Sequence, residues 1–232
     1  MAGLTKKTKA VREKVSSTKF YGLDEAATLL STLPKAKFDE AVDIAVKLGV
    51  DPRKAEENVR GVVSLPHGNG KTVRVVAFCT GAKAKEAEEA GADFVGTEEL
   101  VQKIQGGWLE FDKVVATPDM MVMVSKVGKI LGPRGLMPNP KLGSVTPEVG
   151  KAIKSIKAGQ VEFRVEKAGI VHASIGKVSF GTQKIKENVE SMIDAIIKMK
   201  PKTSKGVYLE TISISSTMGP GIAIDPVPYR KV

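Results

Sequence analysis

The side chains able to do chemistry are few and widely spaced. The 232-residue chain has two histidines and one cysteine, and His67, His172 and Cys79 lie too far apart in sequence to form the closely spaced pairs from which transition-metal sites are drawn. A Cys–His nucleophilic pair is equally under-supplied, and Cys79 sits in an apolar run where a buried, inert thiol is expected. Gly68-Asn69-Gly70-Lys71-Thr72 carries the end of a phosphate-binding loop, in which backbone N–H groups cradle phosphate, a lysine neutralises it and a hydroxyl holds the metal. The first glycine of that pattern is replaced by Leu65, and Thr72 leads into a strand pattern where the motif needs a helix. A flexible linker is the expected role. Thr80-Gly81-Ala82 follows an apolar strand but lacks the multi-glycine turn that lets a dinucleotide pyrophosphate approach the backbone, so no cofactor is expected.

Two other segments carry unusual chemistry. Gly132-Pro133-Arg134-Gly135-Leu136-Met137-Pro138-Asn139-Pro140-Lys141 packs two glycines and three prolines into ten residues. It reads as an extended loop able to present Arg134 and Lys141 beside free backbone N–H groups, or simply as a rigid connector. Ser215-Ser216-Thr217-Met218-Gly219-Pro220-Gly221 clusters hydroxyls where a strand pattern stops. Such groups hydrogen-bond phosphate or ribose, and Gly219 permits a close backbone approach.

Charge narrows the partner class. Thirty-six basic against 26 acidic residues leave +10 at neutral pH, with an isoelectric point near 9.5. That favours a polyanion such as nucleic acid or a membrane surface. Residues 1–20 hold six basic side chains against one acidic, whereas residues 21–67 hold six against eight. No apolar run approaches the roughly 18–20 residues of a membrane span, and the basic N-terminus lacks the apolar block of a signal peptide. A cytoplasmic location is expected.

These groups must be positioned by elements of two kinds. In residues 1–20, Leu4, Val11 and Val15 share a helical face. A helix over 24–33 follows, with Asp24 as N-cap and Pro34 as stop. Alternation predicts strands over 38–48, 59–65, 161–165, 170–175 and 207–215; 161–165 and 170–175 are joined by Lys167-Ala168-Gly169 as a hairpin. Ile185, Val189, Met192, Ile193, Ile196 and Ile197 recur at helical spacing up to Pro201. Between the flanks the rhythm is strand, helix, strand, helix: strands at 73–78, 93–95 and 113–116, and helices at 82–90, 97–105, 119–131 and 147–158. That rhythm means βαβ units and a mostly parallel sheet. The economical architecture combines α+β and α/β. A discontinuous α+β domain from residues 1–66 and 160–232 receives an inserted Rossmann-like three-layer α/β domain, residues 67–159, and the two crossings form a hinge.

Lys37-Phe38-Asp39-Glu40, Val59-Arg60-Gly61 with Leu65-Pro66-His67-Gly68, the Gly132 to Lys141 segment and Ser216-Thr217-Met218-Gly219-Pro220 occur here in an order and spacing that strongly resemble the bacterial ribosomal protein L-one family, proteins of the mobile stalk of the large subunit. The likeness covers essentially the whole chain. It implies a non-enzymatic RNA-binding protein, without cofactor or metal, present as a monomer within the large ribosomal subunit. Its discontinuous domain would bind large-subunit rRNA. The insert would add contacts and move with the stalk that accompanies deacylated tRNA out of the exit site. Members are also translational repressors that bind their own operon's mRNA. Carried over by motif, the RNA-binding residues are Lys37 and Phe38 on the first strand and Thr217, Met218 and Gly219 after the last. Arg164, Glu166, Lys167 and His172 come from the hairpin, and Arg134 and Lys141 are candidates for secondary contacts.

With aromatic residues at only 5%, the chain cannot build a stacking platform for splayed bases, whereas hydroxyl and backbone groups suit the 2′-hydroxyls and phosphates of structured RNA. Phe38 and Met218 would seal those hydrogen bonds with a small apolar patch. His172 reads more simply as a sheet residue than as a direct ligand. The alternative is an α/β enzyme or nucleotide-binding protein that uses the crevice of the insert, with the Gly/Pro loop as its phosphate site.

Overall fold

A computed structural model describes residues 11, 14–16, 19–33, 36–204 and 206–231. They fall into two compact units, one within Met1–Gly70 and Gly159–Val232, the other Lys71–Ala158. In chain order the first flank gives helix α1 (Leu23–Thr32), strand β1 (Ala41–Leu48), a 3-10 turn (Ala55–Glu57) and β2 (Arg60–Ser64). The middle gives β3 (Val75–Phe78), α2 (Ala82–Glu89), β4 (Phe94–Gly96), α3 (Glu98–Gln105), β5 (Lys113–Ala116), α4 (Met121–Ser125), α5 (Gly128–Leu131) and α6 (Val149–Lys157). The return flank gives β6 (Gln160–Arg164), β7 (Ile170–Lys177), the long helix α7 (Thr182–Lys198), β8 (Leu209–Ser216) and β9 (Ile222–Ile224).

The flanks make an α+β unit. Strand order β7-β1-β8-β9 is antiparallel throughout. The period-2 pattern turns Val42, Ile44, Val46, Val171, Ile175, Ile212 and Ile214 onto one face, where α1 and α7 cover them. Along α7, Ile185, Val189, Met192, Ile193 and Ile196 recur at helical spacing and are all buried, with Asn188 among them. The opposite sheet face is open, and its middle row runs His172, Ala45, Ser213, Ala223 across the strands. One solvated face of this kind is the ordinary state of an antiparallel sheet.

The middle unit is a parallel sheet of order β4-β3-β5. Val76, Phe78 and Val114 face a core closed by α3, α4 and α5. Val75, Ala77 and Val115 face another closed by α2 and α6. Alternate residues of the same strands are thus buried on both sides, which is a three-layer α/β arrangement.

Several local expectations need correction. Gly22, not Asp24, precedes the first helical residue; Asp24 lies in the first turn and pairs with Lys186 at 2.6 Å, where a carboxylate favours the positive helix end. The helix over 119–131 breaks into a 3-10 turn (Pro118–Met120), α4 and α5. Val124, Val127 and Leu131 stay buried across the break, so hydrophobic spacing alone does not reveal it. The 161–175 hairpin splays: β6 pairs with β2 and β7 with β1, leaving only the bridge Val165↔Val171 between them. Strand β9 is an addition, because three residues are too few to show a period. Of the N-terminal helix, Leu4 lies outside the described residues, as does the Pro34 stop; Val11 and Val15 pack against the flank core.

Candidate nucleic-acid interface

Lys37 and Phe38 do not lie on the first strand. β1 starts at Ala41, and both residues occupy the bend before it, exposed to solvent. Two acids turn the chain there. Asp39 accepts from the N–H and hydroxyl of Ser179 at 3.2 and 2.7 Å. Glu40, only 4% exposed, accepts from Ala36 N–H at 2.7 Å through one carboxylate oxygen and from Met218 N–H at 3.0 Å through the other. A single buried carboxylate therefore ties the bend that carries Phe38 to the turn that carries Met218.

Thr217 completes that junction. Its hydroxyl accepts from Ala41 N–H at 3.0 Å and donates to Ala41 carbonyl at 3.3 Å, while its own N–H bonds the same carbonyl at 3.0 Å. A hydroxyl so used keeps one lone pair for a ligand. A Cβ on Gly219 would stand 2.5 Å from Ser216 Oγ, so a larger residue there forces the Ser216 hydroxyl to turn away. Phe38 is 55% and Met218 73% exposed. Two large apolar side chains are thereby held in water on rigid backbone, as pre-organised contacts must be.

Arg164, Glu166, Lys167 and His172 are all exposed. His172 Nε2 stands 4.0 Å from Glu166 Oε2, and His172 projects from the open face of the four-stranded sheet. It is a residue of strand β7, paired with Ala45 of β1. In the middle unit, Leu136 and Met137 pack onto the core, while Ser144 Oγ accepts from Asn139 N–H at 2.8 Å and donates to its carbonyl at 3.1 Å. The Gly/Pro loop is thus braced from within, leaving Arg134 and Lys141 exposed.

The phosphate-loop fragment has no helix behind it: residues 71–74 run straight into β3. Its start is pinned to α7, where Asn188 accepts from His67 N–H at 3.2 Å and donates to Gly68 carbonyl at 2.9 Å. Burial pushes the Cys79 thiol above its ordinary value, which makes it a poor nucleophile. Among the described residues no cluster of three or more His, Cys, Asp or Glu side chains could hold a metal, and no helix is long and apolar enough to cross a membrane.

Residues 29–220 match the ribosomal protein L1p/L10e family. The chain belongs to that family. It is 58% identical over 226 residues to the large ribosomal subunit protein uL1 of Bdellovibrio bacteriovorus, covering 97% of this chain and 96% of that one. It is 55% identical to the large ribosomal subunit protein uL1 of Alcanivorax borkumensis, covering 97% and 98% respectively. The L1p/L10e family is one of structural, RNA-binding ribosomal proteins rather than enzymes, so the alternative of catalysis in the insert crevice falls.

The sequence shows Glu40 only as a member of a motif, with nothing to single it out. A lone carboxylate beside an exposed Phe gives no periodic signal, and its partners lie 4 and 178 residues away. The open sheet face is legible: Thr211, Ser213 and Ser215 alternate with buried Ile212 and Ile214.

Proposed function

We propose that this chain is a structural component of the large ribosomal subunit that binds large-subunit rRNA at the mobile stalk. The discontinuous domain, residues 1–66 and 160–232, is its main RNA-binding domain, and the insert, residues 67–159, adds contacts while deacylated tRNA leaves the exit site. The same surface, presented to the mRNA of its own operon, makes the protein a translational repressor. It works as a monomer within the subunit, in the cytoplasm. The observation that carries this reading is the junction in which Glu40 and Thr217 fix Phe38 and Met218 in water. Hydroxyl, backbone and apolar groups together suit ribose and phosphate of folded RNA. Equilibrium binding of the full chain to a stalk rRNA fragment tests it. Met218→Ala and Thr217→Ala should each weaken binding about tenfold or more, in parallel for rRNA and operon mRNA, as expected when interactions in the range of about 1–3 kcal/mol are removed. Parent-like affinity in both variants overturns it.

A further inference from the structure

We propose that Arg60 and Arg164 form a clamp on a single backbone phosphate of bound RNA. The inference rests on the RNA-binding reading above and deepens it, giving a role to Arg60 and a defined ligand group to Arg164. The two arginines are direct partners on the β2–β6 ribbon. Next to them, Val165 N–H bonds Val59 carbonyl at 2.9 Å, which makes Val59 and Val165 the hydrogen-bonded pair. Such pairs alternate along an antiparallel ladder, so Arg60 and Arg164 form a non-hydrogen-bonded pair, the kind whose Cα atoms approach to about 4.5 Å and whose side chains stand closest.

The ribbon's other face is occupied by Gly61, Val63 and Phe163, all buried. Arg60 and Arg164 therefore project together to the solvent side, and both are exposed. Neither guanidinium has a hydrogen-bond or ion-pair partner among the described residues. Like charges set directly opposite one another destabilise a strand pair, so the free protein gains nothing from this placement. A phosphate changes the balance. Its non-bridging oxygens accept from both planar forks at once, and arginine is suited to that geometry where lysine is not. The pair lies on an open ribbon and not in a closed pocket of N–H donors, which fits a phosphate carried on a polymer better than a free anion. It is also one short turn from Glu166, Lys167 and His172, so an RNA on the open sheet face could lay its backbone across it.

The experiment uses the full chain, a stalk rRNA fragment and the variants R60Q, R164Q and the double variant. Each single variant should lose about tenfold in affinity. The double should lose little more than either single, because both side chains hold one phosphate. The slope of log K against log salt should shrink by about 0.7–0.9, one phosphate's share. The melting temperature of the RNA-free protein should stay the same or rise in R60Q, since a repulsion is removed. Parent-like affinity in R60Q overturns the clamp, as does a fall in melting temperature that tracks the loss of affinity. Titration with inorganic phosphate separates the two sources of the anion: a variant that loses phosphate-induced stabilisation yet keeps parent-like RNA affinity also overturns it. A parent chain that does not bind the fragment refutes the broader RNA reading before any variant is compared.

Discussion

The carboxylate of Glu40 and the backbone N–H of Met218 are hydrogen-bonded at 3.0 Å across 178 residues of sequence, and the other oxygen of the same carboxylate holds Ala36 N–H at 2.7 Å. Glu40→Gln keeps the shape but replaces one acceptor with an NH2 group that faces an N–H. The variant should lose about 1–3 kcal/mol of stability, the range for a buried donor left unsatisfied. It should also lose RNA affinity under conditions where it remains folded. Thermal unfolding and equilibrium binding, run side by side, check both. A variant with the parent's stability and affinity would show that the junction is held by Thr217 alone.

The two crossings between units meet within the first unit. A Cβ built on Gly159 would stand 2.3 Å from Gly68 Cα, and Gly159 has φ +99°. Gly159→Ala therefore combines a backbone clash with a conformation that L residues avoid, at an expected cost of about 1–3 kcal/mol. Denaturant unfolding should show the loss. Gly81, also at positive φ but with open space where its Cβ would be, is the control: Gly81→Ala should cost less.

How much of this is legible in the sequence depends on range. The strands with a clean alternation, such as 41–48 within the expected 38–48, and the helix carrying Ile185 to Ile196 are readable because a local period reports a buried face. The strand edge expected at Phe38 moves to Ala41 because the bend is set by Ser179, Ala36 and Met218, contacts that no local pattern encodes. The 161–175 hairpin fails for a related reason. The turn is real, with Gly169 N–H bonded to Glu166 carbonyl at 2.9 Å, yet each strand finds its partner elsewhere. Motif resemblance singles out Thr217, Met218 and Gly219, but that the Thr217 hydroxyl bonds both the N–H and the carbonyl of Ala41 comes only from three-dimensional placement.

The middle unit should show its own acid sensitivity. Burial pushes the Asp93 carboxyl up, but hydrogen bonds from Val75 N–H and from the Lys157 ammonium, 3.2 Å away, outweigh it and hold the group below its ordinary value. A carboxylate with a depressed folded-state value stabilises above its unfolded value, near 4, and loses that contribution as pH falls through the folded one. Asp93→Asn should therefore lower the urea midpoint at pH 7, and the gap to the parent should close below about pH 4. Trp108 is the chain's one tryptophan and packs edge-on against Phe94, so its fluorescence reports this unit specifically. A gap that persists unchanged into acid would show that the Asp93 contacts contribute nothing through charge.

The same unit also divides its charge unevenly, and the salt dependence of binding should expose what that does. Between Met120 and Pro147 lie Lys126, Lys129, Arg134 and Lys141 and no carboxylate at all, and all four are exposed. None of them has an ion-pair partner among the described residues, so their field is not cancelled locally. Cations of this kind act on phosphate wherever it passes, whereas the Glu40–Met218 junction has nearly uncharged groups to offer. Arg134→Gln with Lys141→Gln should accordingly weaken RNA binding by a similar factor for matched and mismatched fragments. It should also reduce the salt slope by about 0.7–0.9 for each phosphate that is no longer neutralised. Met218→Ala should do the reverse, lowering affinity for the matched fragment while leaving the slope alone. If the loop variant instead discriminated between fragments at constant slope, Arg134 and Lys141 would be reading bases, and the division between a charged surface that attracts and a neutral edge that recognises would be wrong.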